Sequence, residues 1–136
     1  FKTEVTLAGR KINDGMLDYI IKELSDFLKR KNKSLKNSKI MIVGLTYKAG
    51  VADMRNSLNF EIFKKIKKYN NKIKACDPFV EEKSKTTYGI DNKINKNTKY
   101  DVILFLSYHN TFKKIFKSII SSKNRNKVLD PFNYYS

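Results

Sequence analysis

The chain has 136 residues, 40% hydrophobic and 31% charged, with eight Tyr, nine Phe and no Trp. That supports one buried core but not two large ones and is too apolar for a disordered chain, while a mean hydropathy of −0.55 with no long apolar run excludes a membrane span. The net charge of +16 raises the question of a polyanionic partner, yet it comes from 25 Lys against 4 Arg, spread through the chain among 14 Asn. A dedicated nucleic-acid binder concentrates Arg, whose planar fork matches phosphate and base edges, so the excess reads as a solvated surface. One cysteine, Cys76, allows neither an internal disulfide nor a multi-cysteine metal site, and a reducing, cytoplasmic setting is the default. The opening FKTEVTLAGRK starts on Phe1 and has no signal-peptide pattern, which points to a piece of a longer chain.

Residues 5 to 30 form one long amphipathic pattern, with Val5, Leu7, Ala8, Ile12, Met16, Tyr19, Ile20, Leu24, Phe27 and Leu28 recurring at helical steps. Its length favours a partner helix outside this chain over packing on the rest of it. Arg10, Asn13 and Asp14 are then polar contacts across that interface. The polar stretch Lys29 to Ser38 (KRKNKSLKNS) has no periodicity and marks a linker, so the chain divides into residues 1–34 and 35–136.

Beyond it, strands and helices alternate. Lys39 to Gly44 (KIMIVG) suits a strand buried on both faces, and Leu58 to Tyr69 an amphipathic helix capped by Ser57. Lys72 to Cys76 is a second strand closed by Asp77-Pro78, Val80 to Tyr88 a helix ending at Gly89, and Asp101 to Leu106 a third strand. Thr111 to Ser122 is a helix and Lys127 to Leu129 a last strand. This order predicts an α/β, Rossmann-like parallel sheet with helices on both faces, preceded by the long helix.

Ligands of such sheets collect at the carboxyl ends of strands, so the loop Leu45 to Asn56 is the first place to look. With Gly44 and Ser57 it reads GLTYKAGVADMRNS, which is long for a strand-to-helix connection and is neither a G-x-G-x-x-G turn nor a Walker loop. It offers an aromatic ring at Tyr47, cations at Lys48 and Arg55, and a capped helix N-terminus, which together suit a phosphorylated ligand. Lys48 is also readable as one more surface lysine, and Arg55 as an ion-pair partner of Asp53.

GLTYKAGVADMRNS, then KIKACDPFV, then YDVILFLSYHNTF resembles the C-terminal domain of the UDP-glucose/GDP-mannose dehydrogenase family, and LAGRKINDGM resembles the end of that family's central helix in the UDP-N-acetylhexosamine branch. The resemblance implies the UDP-binding part of an NAD-dependent enzyme that oxidises the C6 alcohol of a UDP-sugar to a carboxylate for surface polysaccharide synthesis. It also implies a homodimer through the N-terminal helix, and NAD and the catalytic cysteine in parts upstream. Lys48 then contacts the UDP-sugar, Arg55 faces the nucleotide end and Tyr47 lines the pocket. The chain departs from the family in two places. Cys76 lies at a strand end with no activating partner and reads as a buried inert thiol, and VLDPFNYYS lacks the basic residue that often follows the final strand.

His109 reads as a capping or packing residue, and Asp77 as turn chemistry outside the site. Two other classes stand against this reading. One is a basic module for nucleic acid or polyanion, disfavoured because the lysines follow no stripe. The other is a receiver-like regulatory domain, which needs an acidic pocket at the strand ends that Gly44 does not supply.

Overall fold

The computed structural model describes residues 2–46, 57–95, 98–122 and 124–135, with side chains from Gly15 onward. In chain order the elements are α1 (Lys2–Lys29), β1 (Ile40–Val43), α2 (Leu58–Lys67), β2 (Ile73–Cys76), α3 (Glu82–Tyr88), β3 (Ile90–Asp91), β4 (Val102–Phe105), α4 (Asn110–Ile120), a 3-10 turn (Arg125–Lys127) and β5 (Val128–Leu129). The strands form one parallel sheet in the order β3-β2-β1-β4-β5.

All four residues of β1 and of β4 are buried, as unbroken apolar runs at the centre of a parallel sheet must be. The pleat divides them between two cores. Ile40, Ile42, Val102 and Leu104 face Phe60, Phe63 and Ile66 of α2. Met41, Val43, Ile103 and Phe105 face Phe112 and Ile119 of α4 on the other side. The expected doubly covered sheet is therefore present, with one strand more than the pattern predicts. The extra strand, β3, has two residues and one buried position, too few to register as an alternation.

The long helix differs from expectation in what its apolar stripe touches. Ile20, Leu24 and Leu28 are fully buried in the same core as α2 and β1, with Met16, Leu17, Ile21 and Phe27 packed against them. From Met16 onward the stripe packs mainly within the chain, although Tyr19 stays 45% exposed, while the side chains of Arg10, Asn13 and Asp14 lie outside the described set. The linker is tied down too. Buried Asn70, just past α2, donates from its amide to the carbonyls of Leu35 at 2.6 Å and Ser38 at 2.8 Å. Asp101 and Lys39 clasp the amino ends of β4 and β1 together: Lys39 N donates to the Asp101 carboxylate at 2.7 Å and Asp101 N to the Lys39 carbonyl at 2.8 Å.

Candidate functional site

The chain runs from β1 outward to β2 on one side of the sheet and from β4 outward to β5 on the other, so the topological switch lies between the carboxyl ends of β1 and β4. A crevice opens between diverging loops at such a point, and ligands of open parallel sheets bind there. Two chain segments meet at this place, Gly44-Leu45-Thr46 after β1 and Leu106-Ser107-Tyr108 after β4. They meet closely: Gly44 has φ +97°, and a Cβ there would lie 2.7 Å from the Ser107 Cβ. Gly44 is thus required twice, by its left-handed conformation and by the approach of Ser107.

Three side chains fix the crevice. Asn59, in the first turn of α2 and fully buried, donates from its amide to the Ser107 hydroxyl at 2.9 Å and to the carbonyls of Gly44 and Leu106 at 3.3 Å each, which staples both loops to one helix. Ser57 caps α2, its Oγ accepting from Asn59 N at 3.1 Å and Phe60 N at 3.4 Å while donating to the Leu45 carbonyl at 2.8 Å. That last bond draws together the two stems of the segment 47–56. Tyr47, Lys48 and Arg55 themselves lie in that segment, outside the described residues. What is defined is the pair of stems, ending at Thr46 and resuming at Ser57, on either side of that segment.

The third side chain is Asp77, which the sequence assigned to turn chemistry alone. It is fully buried, and its Oδ2 accepts from Leu45 N at 2.8 Å, Thr46 N at 2.9 Å and Thr46 Oγ1 at 2.9 Å, while Oδ1 accepts from Phe79 N at 2.8 Å. The turn role is real, in the Phe79 bond, but the other carboxylate oxygen organises the start of the β1 loop. It also settles what this turn is not. A dinucleotide pyrophosphate would need the backbone N–H groups after β1, and here those of Leu45 and Thr46 already serve an internal carboxylate. The turn does not fit NAD.

His109 caps α4, its Nδ1 accepting from Thr111 N at 3.0 Å, and its ring meets Phe79 edge-on at 4.6 Å, so it packs and caps as expected. Cys76 is buried at the end of β2, and burial, reinforced by the carboxylates of Asp77 and Asp91, pushes its thiol up to about 12. Such a thiol is neither a nucleophile nor a ligand at neutral pH. Among the described residues no group of three or more His, Cys, Asp and Glu side chains could hold a metal ion, and no helix is long and apolar enough to cross a membrane.

The chain is 31% identical over 126 residues to the UDP-N-acetyl-D-glucosamine 6-dehydrogenase of Salmonella typhi, which covers 91% of this chain and 30% of that protein. It is 29% identical over 117 residues to the enzyme of the same name from Pseudomonas aeruginosa, covering 85% of this chain and 28% of that one. Among solved structures, the UDP-D-ManNAc dehydrogenase of Pyrococcus horikoshii superposes with a TM-score of 0.71 at 25% identity over 93% of this chain and 29% of its own. The UDP-N-acetyl-mannosamine dehydrogenase Cap5O of Staphylococcus aureus does so with a TM-score of 0.66 at 26% identity, covering 93% and 28%. The chain thus spans about 30% of the length of the relatives it matches. Residues 41–136, well over half of the chain, match the UDP binding domain of the UDP-glucose/GDP-mannose dehydrogenase family, and the chain belongs to that family.

Proposed function

We propose that this chain is the UDP-sugar-holding portion of an NAD-dependent nucleotide-sugar 6-dehydrogenase acting on a UDP-N-acetylhexosamine. The observation that carries the reading is the family match over residues 41–136, which takes in the framed loop at the β1/β4 switch point. Lys48 and Arg55 neutralise the diphosphate and Tyr47 shapes the pocket. Charge-assisted contacts suit a diphosphate far better than they suit a neutral sugar. NAD supplies the hydride acceptor and, because the β1 turn does not fit it, is held by another part of the longer enzyme. That enzyme is a cytoplasmic homodimer joined through the helix within residues 1–34, and its uronate product feeds surface polysaccharide synthesis.

An NMR titration of this chain with UDP, UDP-N-acetylglucosamine, GDP and a short oligonucleotide tests the reading. Uridine nucleotides should shift amides of Gly44, Leu45, Thr46, Ser57 and Ser107, and Lys48→Ala should weaken the effect roughly tenfold through the loss of a charge-assisted contact. An oligonucleotide response spread over the lysines and collapsing between 50 and 200 mM salt, with no response to UDP, would instead establish the polyanion-binding class.

A further inference from the structure

Three lysines meet on one face of the sheet at the amino ends of β1 and β2. Lys74 lies opposite Met41 in the parallel register, and Lys39 and Lys72 stand one position ahead of the Ile40–Ile73 pair. Side chains alternate along a strand, and Met41 and Cys76 belong to the core on the α4 side, so Lys39, Lys72 and Lys74 all lie on that face. Met41 is buried there, whereas the three lysines are exposed. Lys39 and Lys74 form the shared wall of two hollows of about 380 and 460 Å³. Lys93 and Tyr100 line the first hollow, and Lys72 and Asp101 the second. The Lys39 ammonium sits 5.9 Å from the centroid of the buried Tyr100 ring.

This arrangement runs against ordinary sheet pairing, in which like charges opposite one another on neighbouring strands are destabilising. Among the described residues the hollows are faced by four lysines, Lys39, Lys72, Lys74 and Lys93, and by two carboxylates, Asp91 and Asp101. Asp101 is already committed, since it accepts from Lys33 Nζ at 2.6 Å and from Lys39 N at 2.7 Å. The hollows therefore keep an excess of positive charge that strand pairing has gathered from places far apart in the sequence. A lysine ammonium is a compact point charge on a flexible stem and serves phosphate groups as such. A concave wall lets one ligand meet several of them at once. The ring at this place is buried beneath Lys39 and offers no open face to a base, which argues against single-stranded nucleic acid. We propose that the amino end of β1 and β2 is an anion site that takes a compact ligand with several phosphate groups on Lys39, Lys72 and Lys74. It stands independently of the nucleotide reading, whose crevice lies at the opposite end of the same sheet.

NMR titration of the whole chain with tripolyphosphate, at about 150 mM salt to screen scattered lysines, tests it. Saturable shifts should concentrate on the amides of Lys39, Lys72, Lys74 and Tyr100, and the Lys72→Gln/Lys74→Gln double variant should weaken binding about tenfold. Lys113→Gln, at an exposed position of α4, should stay within twofold of the wild type. Without ligand, Lys74→Gln should raise the melting temperature by about 2 °C, because it relieves cross-strand repulsion. Shifts spread evenly over the lysines of α2 and α4, shifts confined to Gly44, Leu45 and Thr46, or a double variant within twofold of the wild type would each overturn the site. An unchanged melting temperature for Lys74→Gln would remove the repulsion on which the site is argued and overturn it as well. Co-sedimentation with phosphatidylglycerol vesicles that depends on Lys72 and Lys74, with no saturable response to tripolyphosphate, would assign the patch to a membrane surface instead.

Discussion

Cys76 illustrates how one side chain is committed by its surroundings. It lies in the second core beside Val43 and Phe105, fully buried, and burial together with Asp77 and Asp91 raises its thiol from 9.0 to about 12. The folded state therefore holds this proton more tightly than the unfolded chain does. By linkage the associated stability is complete below about pH 9 and is lost as pH rises from about 9 toward 12. Replacing the thiol by a group that cannot ionise removes that dependence. Unfolding free energies from urea titrations at about pH 8 to 11 should fall by about 2.5 kcal/mol more for the wild type than for Cys76→Ala, whose own loss of packing is the same at every pH. Parallel curves for the two proteins would show that the thiol does not ionise differently in the folded state.

The contacts that join elements are the ones a linear reading sees least. β1 and β4 are legible as apolar runs, β2 by the Asp77-Pro78 that closes it, α2 by its period and its Ser57 cap, and α3 by the Gly89 that ends it in a left-handed turn. The β1 loop stands out as a candidate site through its length and its scarce arginine. Asp77 does not stand out, because Asp-Pro after a strand satisfies local turn chemistry and nothing in the spacing reveals acceptance from Leu45 and Thr46, 32 and 31 positions away. The same holds for Lys39, Lys72 and Lys74, which come together on one face only when β1 and β2 pair. Asp77 joins the end of β2 to the loop of β1, so its removal acts on the site frame. Asp77→Ala leaves the buried donors of Leu45 and Thr46 without their acceptor and should destabilise the chain by about 3 kcal/mol. Hydrogen exchange at Leu45 and Thr46 should quicken more than at β4, and UDP affinity should fall with it; unchanged exchange at those two amides would show that the carboxylate does not hold the loop.

At the scale of the whole molecule, the question is whether α1 is an appendage or part of the same cooperative body. Its described half buries Ile20, Leu24 and Leu28 completely against the layer formed by α2 and β1. The Lys65–Asp18 pair that also links α1 to α2 is 3.4 Å long and exposed, so it adds little and apolar contact carries the docking. The Asn70 bonds to Leu35 and Ser38 remove the freedom a loose linker would have. A helix whose stripe completes one face of a sheet core unfolds with that core, because separating it exposes apolar surface on both partners. Leu24→Ala should therefore cost about 3 kcal/mol, in the range of large-to-small core substitutions, and lower the unfolding midpoint of the entire chain in a single transition. Native-state hydrogen exchange distinguishes the alternatives: slow amides of β1 and β4 should lose protection together with those around Leu24. Loss confined to α1, with the sheet amides unaffected, would make the helix a separate folding unit rather than part of the sheet's cooperative body.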